Sequence, residues 1–238
     1  MVRYRRSEPM PPTMSLGHDE HQQAQQLLSA LRRQRLHLDQ TLSSLEDLLA
    51  QSVRGTKELI QRGVQELQQG NYAEAIVDFN RVLQKYPEQK EALFYRAQAY
   101  VSLQAYSRAL HDYNVLIEVA DRTQQHCHHF YNNRGVVHHL RRDFTKAKRD
   151  YTEAIRLKPD YVMGWTNRGE VNLHTKDFDS AVEDCTHALL LDPTHLAALT
   201  HRGWAYHNLA ETELAKRDAA KAAELGCSKL MKKLEKNS

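Results

Sequence analysis

Three cysteines in 238 residues, Cys127, Cys185 and Cys227, form no CxxC pair and no even-numbered set. That excludes a disulfide-stapled scaffold and points to a reducing, cytoplasmic compartment. Glycine (9) and proline (6) are scarce, and aromatic residues make up 8 %. So few turn formers suit a mostly helical chain better than an all-β one. No apolar run approaches the ~18 residues of a membrane span. The start, MVRYRRSEPMPPT, is rich in arginine but lacks the apolar core of a signal peptide. Residues 1–17 read as a disordered basic tail. Charge of one sign is missing from the body as well. The net charge of +3 comes from the ends, where Arg3, Arg5 and Arg6 outnumber Glu8, and Lys229, Lys232, Lys233 and Lys236 outnumber Glu235. The body between them is slightly acidic. A nucleic-acid footprint needs basic charge gathered on a folded face, so this distribution argues against nucleic acid as a partner.

What is present is self-similarity. RGVQELQQGNYAEAIVDFNRVLQKYP, RGVVHHLRRDFTKAKRDYTEAIRLKP and RGEVNLHTKDFDSAVEDCTHALLLDP align, ending at Pro87, Pro159 and Pro193. The unit between the first two has Asp121 in the proline slot, and a fifth unit carries Cys227 there. Five repeats of 34 residues then span 56–89, 90–123, 128–161, 162–195 and 196–229, with four extra residues at 124–127. The eighth position is small throughout (Gly63, Ala97, Gly135, Gly169, Gly203), as is the twentieth (Ala75, Ala109, Ala147, Ala181, Ala215). Large residues hold the fourth position, and Phe79, Tyr113 and Tyr151 the twenty-fourth. Small residues facing large ones let two antiparallel helices interlock, so each unit reads as helix, turn, helix. The seventh position is always arginine (Arg62, Arg96, Arg134, Arg168, Arg202) and the twenty-third always aspartate (Asp78, Asp112, Asp150, Asp184, Asp218). That register predicts a structural charge pair within a hairpin or with its neighbour.

This pattern of large residue, Gly or Ala, Ala, aromatic and Pro resembles the tetratricopeptide repeat over residues 56–229. The resemblance implies an all-α, right-handed superhelix (α-solenoid) of five helix-turn-helix units, and binding rather than catalysis. It also implies that the first helix of each unit lines a concave groove with its second, fifth, ninth, twelfth and thirteenth positions. Carried onto this chain, the groove holds Lys57, Ile60, Phe94 and Gln98 early, then His129, Asn132, His139, Thr166, Glu170, His174, Trp204, His207 and Asn208. The early half is largely apolar, and the later half offers amides, histidines and an aromatic. Such a surface suits an extended or helical peptide. His139, His174 and His207 are either solvated groove residues or groups that titrate near neutral pH. A carboxylate clamp for chaperone C-termini is not expected. Its positions hold Ile60, Val64, Tyr95, His129 and Asn133 from the first repeat, or Asn132, Val136, Asn167, Ala197 and His201 from the third, without the paired cations.

The HCHH run at 126–129 looks like a metal site and is read otherwise. Consecutive helical residues point ~100° apart, so four in a row do not converge on one tetrahedral ion. No HExxH, phosphate loop, nucleophile arrangement or paired carboxylates are found. No metal, cofactor or enzymatic activity is expected.

Residues 18–53 contain neither Gly nor Pro. Leu28, Leu31, Leu38, Leu42, Leu45 and Leu49 follow alternating 3–4 spacing, interrupted at Arg35, and form a heptad seam. This leucine-rich helix could dimerise the chain, dock on a larger assembly, cap the first repeat or fold back into the groove. At the other end Gly226 suits a helix stop, with residues 230–238 as a short amphipathic cap and tail through Leu230, Met231 and Leu234. The expectation is a non-enzymatic scaffold or adaptor that takes a peptide or helix of a protein partner in its groove and makes a second contact through the N-terminal helix. The alternative is a structural or assembly subunit of a large complex.

Overall fold

The computed structural model describes residues 18–228, 231, 232 and 234. The expected tail at 1–17 and Leu230 lie outside the described residues. Ten helices and no strand occur among those described: α1 (His18–Gln69), α2 (Tyr72–Lys85), α3 (Lys90–Ser102), α4 (Tyr106–Arg122), α5 (His128–Leu140), α6 (Phe144–Leu157), α7 (Val162–His174), α8 (Phe178–Leu191), α9 (Leu196–Asn208) and α10 (Thr212–Glu224). By its internal contacts the chain separates into two units, residues 1–55 and 56–238.

The first unit carries most of α1. The seam leucines Leu28, Leu31, Leu38, Leu42, Leu45 and Leu49 are all exposed, between 49 and 66 %. α1 itself runs unbroken from His18 to Gln69, through residues 53–56 where the leucine-rich segment meets the first repeat. Gly55 is the weakest helix former there. One glycine costs about 1 kcal/mol, too little to stop a helix that no proline interrupts.

In the second unit the pairing of large and small residues takes physical form. A Cβ added to Gly63 would meet the Phe79 ring at 2.7 Å, and one added to Gly135 the Tyr151 ring at 2.7 Å. At Gly169 it would meet Cys185 Sγ at 2.8 Å. Position eight is therefore small because position twenty-four of the same hairpin lies against it. Phe79, Tyr113, Tyr151 and Cys185 are buried by this contact. Burial pushes the Cys185 thiol up to about 12, which leaves it a packing residue rather than a nucleophile.

Every arginine at position seven clasps the aspartate at position twenty-three of its own hairpin with two hydrogen bonds. The four later pairs measure 2.6–2.9 Å, and Arg62 donates in the same way to Asp78. From the second hairpin on, the free guanidinium nitrogen reaches the hairpin before it. Arg96 donates to Asn80, Arg134 to Asn114, Arg168 to Thr152 and Arg202 to Thr186, at 2.7–3.2 Å. One residue thus sets the register within a hairpin and between hairpins.

The hairpin turns are equally regular. Gly70, Gln104, Arg142, Lys176 and Ala210 all take a left-handed φ, from 58° to 85°. Second helices end just before Pro87, Pro159 and Pro193. Where Asp121 replaces proline, α4 runs to Arg122, and residues 123–127 carry the chain to α5. Gly226 takes φ 94° after α10, and Leu234, 5 % exposed, packs with Met231 on Ala215, Ala219 and Trp204.

Candidate functional site: the face of the first helices

The last turns of α1, then α3, α5, α7 and α9, are the first helices of the five hairpins, and α7 packs on both α5 and α9. At the early end, Lys57 is exposed and Gln98 half-buried. Ile60 is only 6 % exposed and belongs to the core of the first two hairpins. Phe94 is half-buried, with ring contacts to Tyr95 at 5.5 Å, Phe130 at 6.0 Å and Tyr113 at 6.4 Å. The apolar character expected of the early groove is thus largely spent on the protein's own packing.

The middle is polar and internally satisfied. Asn132 is 5 % exposed, donating to Asn133 at 3.2 Å while its carbonyl oxygen accepts from Asn167 at 3.0 Å. Thr166, 1 % exposed, donates its hydroxyl to the Val162 carbonyl at 3.0 Å. As groove residues open to a ligand, Ile60, Asn132 and Thr166 are corrected. Position along a helix gives direction, whereas depth depends on the neighbouring helix, which covers all three. His129 is exposed, and its ring lies 3.9 Å from that of His128 and 5.3 Å from that of Tyr161. Residues 126–129 do not converge: His126 Nδ1 turns to Asp121 at 3.1 Å, and Cys127 sits just before α5 at its N-cap position without a side-chain hydrogen bond to it.

The later end is where side chains gather. On α5, His139 faces Glu170 and His174 of α7, with Nδ1 3.9 Å from a Glu170 carboxylate oxygen and its ring 5.1 Å from that of His174. The Phe144 ring stacks on His174 (5.5 Å, 8°) and meets His139 edge-on at 5.6 Å. Burial lowers the His139 pKa, Glu170 opposes this, and His174 adds to the lowering, so the imidazole is neutral at neutral pH. A second concavity between α7 and α9 is lined by Glu170, His174, His201, Trp204 and Asn208. Asn208 donates to the Trp204 carbonyl at 2.8 Å, and His207 meets the Trp204 ring at 5.9 Å. Burial also lowers the pKa of His201, a residue outside the expected groove set. Glu170 and His174 line both this concavity and the one between α5 and α7 that holds His139 and Phe144. The signal for this was Glu170 and His174 standing one turn apart, with His139 about one repeat earlier. No described helix is long and apolar enough to cross a membrane.

Comparison with known proteins agrees with this architecture. Family models described as tetratricopeptide repeat match residues 60–123, 128–161 and 164–195, together more than half of the chain. No curated protein matches the chain in sequence. Among solved structures, the MamA protein is 21 % identical with a TM-score of 0.62, covering 71 % of this chain and 91 % of that one. PilF of Pseudomonas aeruginosa is 21 % identical with a TM-score of 0.65, over 73 % and 78 %. YrrB, described as a tetratricopeptide repeat protein with an unusual peptide-binding site, is 16 % identical with a TM-score of 0.60, over 76 % and 91 %. At these identities the likeness shows the fold, the right-handed α-solenoid. The chain belongs to the tetratricopeptide repeat family.

Proposed function

We propose that this protein is a non-enzymatic scaffold or adaptor, acting in the cytoplasm, that binds a peptide or helix of a protein partner on the face of its first helices. The fold supports a protein-interaction role in general. The observation that carries the finer reading is the pair of adjacent concavities between α5, α7 and α9, joined by Glu170. There His139, Glu170, His174 and Asn208 offer hydrogen-bonding groups beside aromatic rings, Trp204 among them with His207 against it, the mixture that anchors an extended chain. Lys57, Gln98 and His129 extend the same face toward the amino end. YrrB supports the reading as a fold relative with a peptide-binding site. The test is selection of binding peptides on the full chain from a random library, followed by titration against variants. Binding weakened at least about tenfold by Trp204→Ala and Asn208→Ala, as expected of anchor residues, supports the groove. Equal affinity for both variants and the parent protein rejects it.

A second reading is favoured by one observation, the row of exposed leucines on α1. Apolar side chains repeated along a seam in this way mark a surface that another helix covers. The seam serves a second contact, either with a copy of this chain or as the fixed joint of a subunit in a larger assembly. Light scattering on the full chain and on a Leu38→Ser, Leu45→Ser variant separates these. A dimer that becomes a monomer in the variant assigns the seam to self-association. Monomers in both cases reject self-association and leave a cap on the first repeat, a fold back into the groove or a different protein as the role of the seam.

A further inference from the structure

Glu170 and His174 stand one turn apart on α7, and His139 of α5 faces them from the preceding hairpin. His139 and His174 are separated by one repeat plus one residue, so the stacking of hairpin on hairpin brings them together. One ligand atom from each of the three residues lies within 4.8 Å of the other two. Among the described residues no other group of three or more His, Cys, Asp or Glu side chains meets in this way.

We propose that His139, Glu170 and His174 bind a divalent transition-metal ion of the zinc class. Two imidazole nitrogens and one carboxylate oxygen suit Zn²⁺ or Co²⁺, whereas Mg²⁺ and Ca²⁺ take oxygen ligands almost alone. Bonds of about 2.0–2.1 Å place tetrahedral zinc ligands about 3.3 Å apart. Separations within 4.8 Å therefore have to close by at most about 1.5 Å. Side-chain rotation suffices, because Glu170 is 37 % exposed and His174 is exposed. His139 is the fixed member, 18 % exposed, and Phe144 lies against both imidazoles and orients them. Arg142 lines the same pocket and is the one cation there, with the Glu170 carboxylate to offset it.

Three protein ligands leave a coordination position open. The Tyr151 hydroxyl lines this pocket, is buried and has no hydrogen-bond partner in the protein. The use of the position by a carboxylate or imidazole of a groove-bound peptide rests on the groove reading; binding of the ion does not.

The test is titration of the full chain with Co²⁺, followed by visible ligand-field absorption and by calorimetry. The expected result is one ion per chain with the intense absorption of four- or five-coordinate cobalt. Glu170→Gln and His174→Ala should each weaken binding at least about tenfold, while a variant lacking the imidazoles of His126, His128 and His129 binds like the parent. Glu170→Gln keeps shape on a half-exposed side chain, so circular dichroism should show it folded. Absence of cobalt binding, or affinity unchanged by both substitutions, overturns the proposal. Peptide binding measured in a chelator then tells whether the groove reading stands without it.

Discussion

At the scale of the residue, the repeated arginine and aspartate are the strongest constraint in the molecule. Asp184 is 4 % exposed, and Arg168 and Asn172 donate hydrogen bonds to its carboxylate. Arg168→Ala would leave a buried carboxylate short of its counter-charge and cut the bond to Thr152 in the preceding hairpin. Removing one partner of such a pair costs roughly 2–4 kcal/mol. Arg62→Ala should cost clearly less. Its side chain is 55 % exposed, it has no preceding hairpin to bridge, and Arg81 also stands 3.8 Å from Asp78. Urea denaturation of the two variants checks the order, and equal losses would show that the bridge between hairpins adds nothing. His128 gives the residue scale a pH dependence. Burial lowers its pKa from 6.5, His129 and Lys158 add to this, and Asp160 opposes it. Its Nε2 is buried without a partner, and Tyr161 packs edge-on at 4.6 Å. As pH falls through about 6.5, the unfolded chain takes the proton before the folded chain does. Stability is therefore full above that value and declines below it, until the folded-state pKa is passed. His128→Phe should shrink the loss of urea midpoint between about pH 7.5 and pH 5.5. An unchanged loss would place its source elsewhere.

At the scale of the element, the five hairpin turns share a left-handed residue that only the first repeat fills with glycine. A side chain in that conformation costs about 1–2 kcal/mol, while glycine gives back part through unfolded-state entropy. Gln104→Gly and Ala210→Gly should each raise stability by roughly 0.5–1 kcal/mol. A rise in thermal midpoint confirms the strain, and a fall would mean that the side chain makes a contact outweighing it. These turns also show what the sequence could tell. Hairpin number and register were legible because small and large residues recur at fixed positions and arginine and aspartate never miss theirs. The left-handed turn was not, since Gln, Arg, Lys and Ala at that position announce no such conformation. The continuity of α1 through residues 53–56 was not announced by the repeat pattern, and Gly55 is tolerated within the helix. At the candidate site, the direction of Asn132 and Thr166 followed from helical spacing, but their burial depends on how closely α5 and α7 pack. The meeting of His139 with Glu170 and His174 was implicit in the period, yet it needed the stacking distance to become visible.

At the scale of the whole repeat unit, residues 56–238, contacts run between neighbouring helices and between the first helices of adjacent hairpins. Stability in such an array is approximately a sum over hairpins and their interfaces, so local opening is expected where the interface buries least. That place is the last hairpin. The buried residues of α10 are Ala215, Asp218, Ala219 and Ala222, whereas α4 buries Tyr113, Leu116, Ile117 and Val119 among others. Alanines remove little apolar surface from water, and at ~25 cal/mol per Å² their helix is held more weakly. Leu234 and Met231 compensate by covering Ala215, Ala219 and Trp204. Leu234→Ala should therefore lower hydrogen-exchange protection selectively. Amides of α10 would open by about 1–2 kcal/mol more easily, and those of α5 to α8 would exchange as before. A uniform loss across all hairpins would instead mean that the array unfolds as one cooperative block, with the cap stabilising every repeat alike.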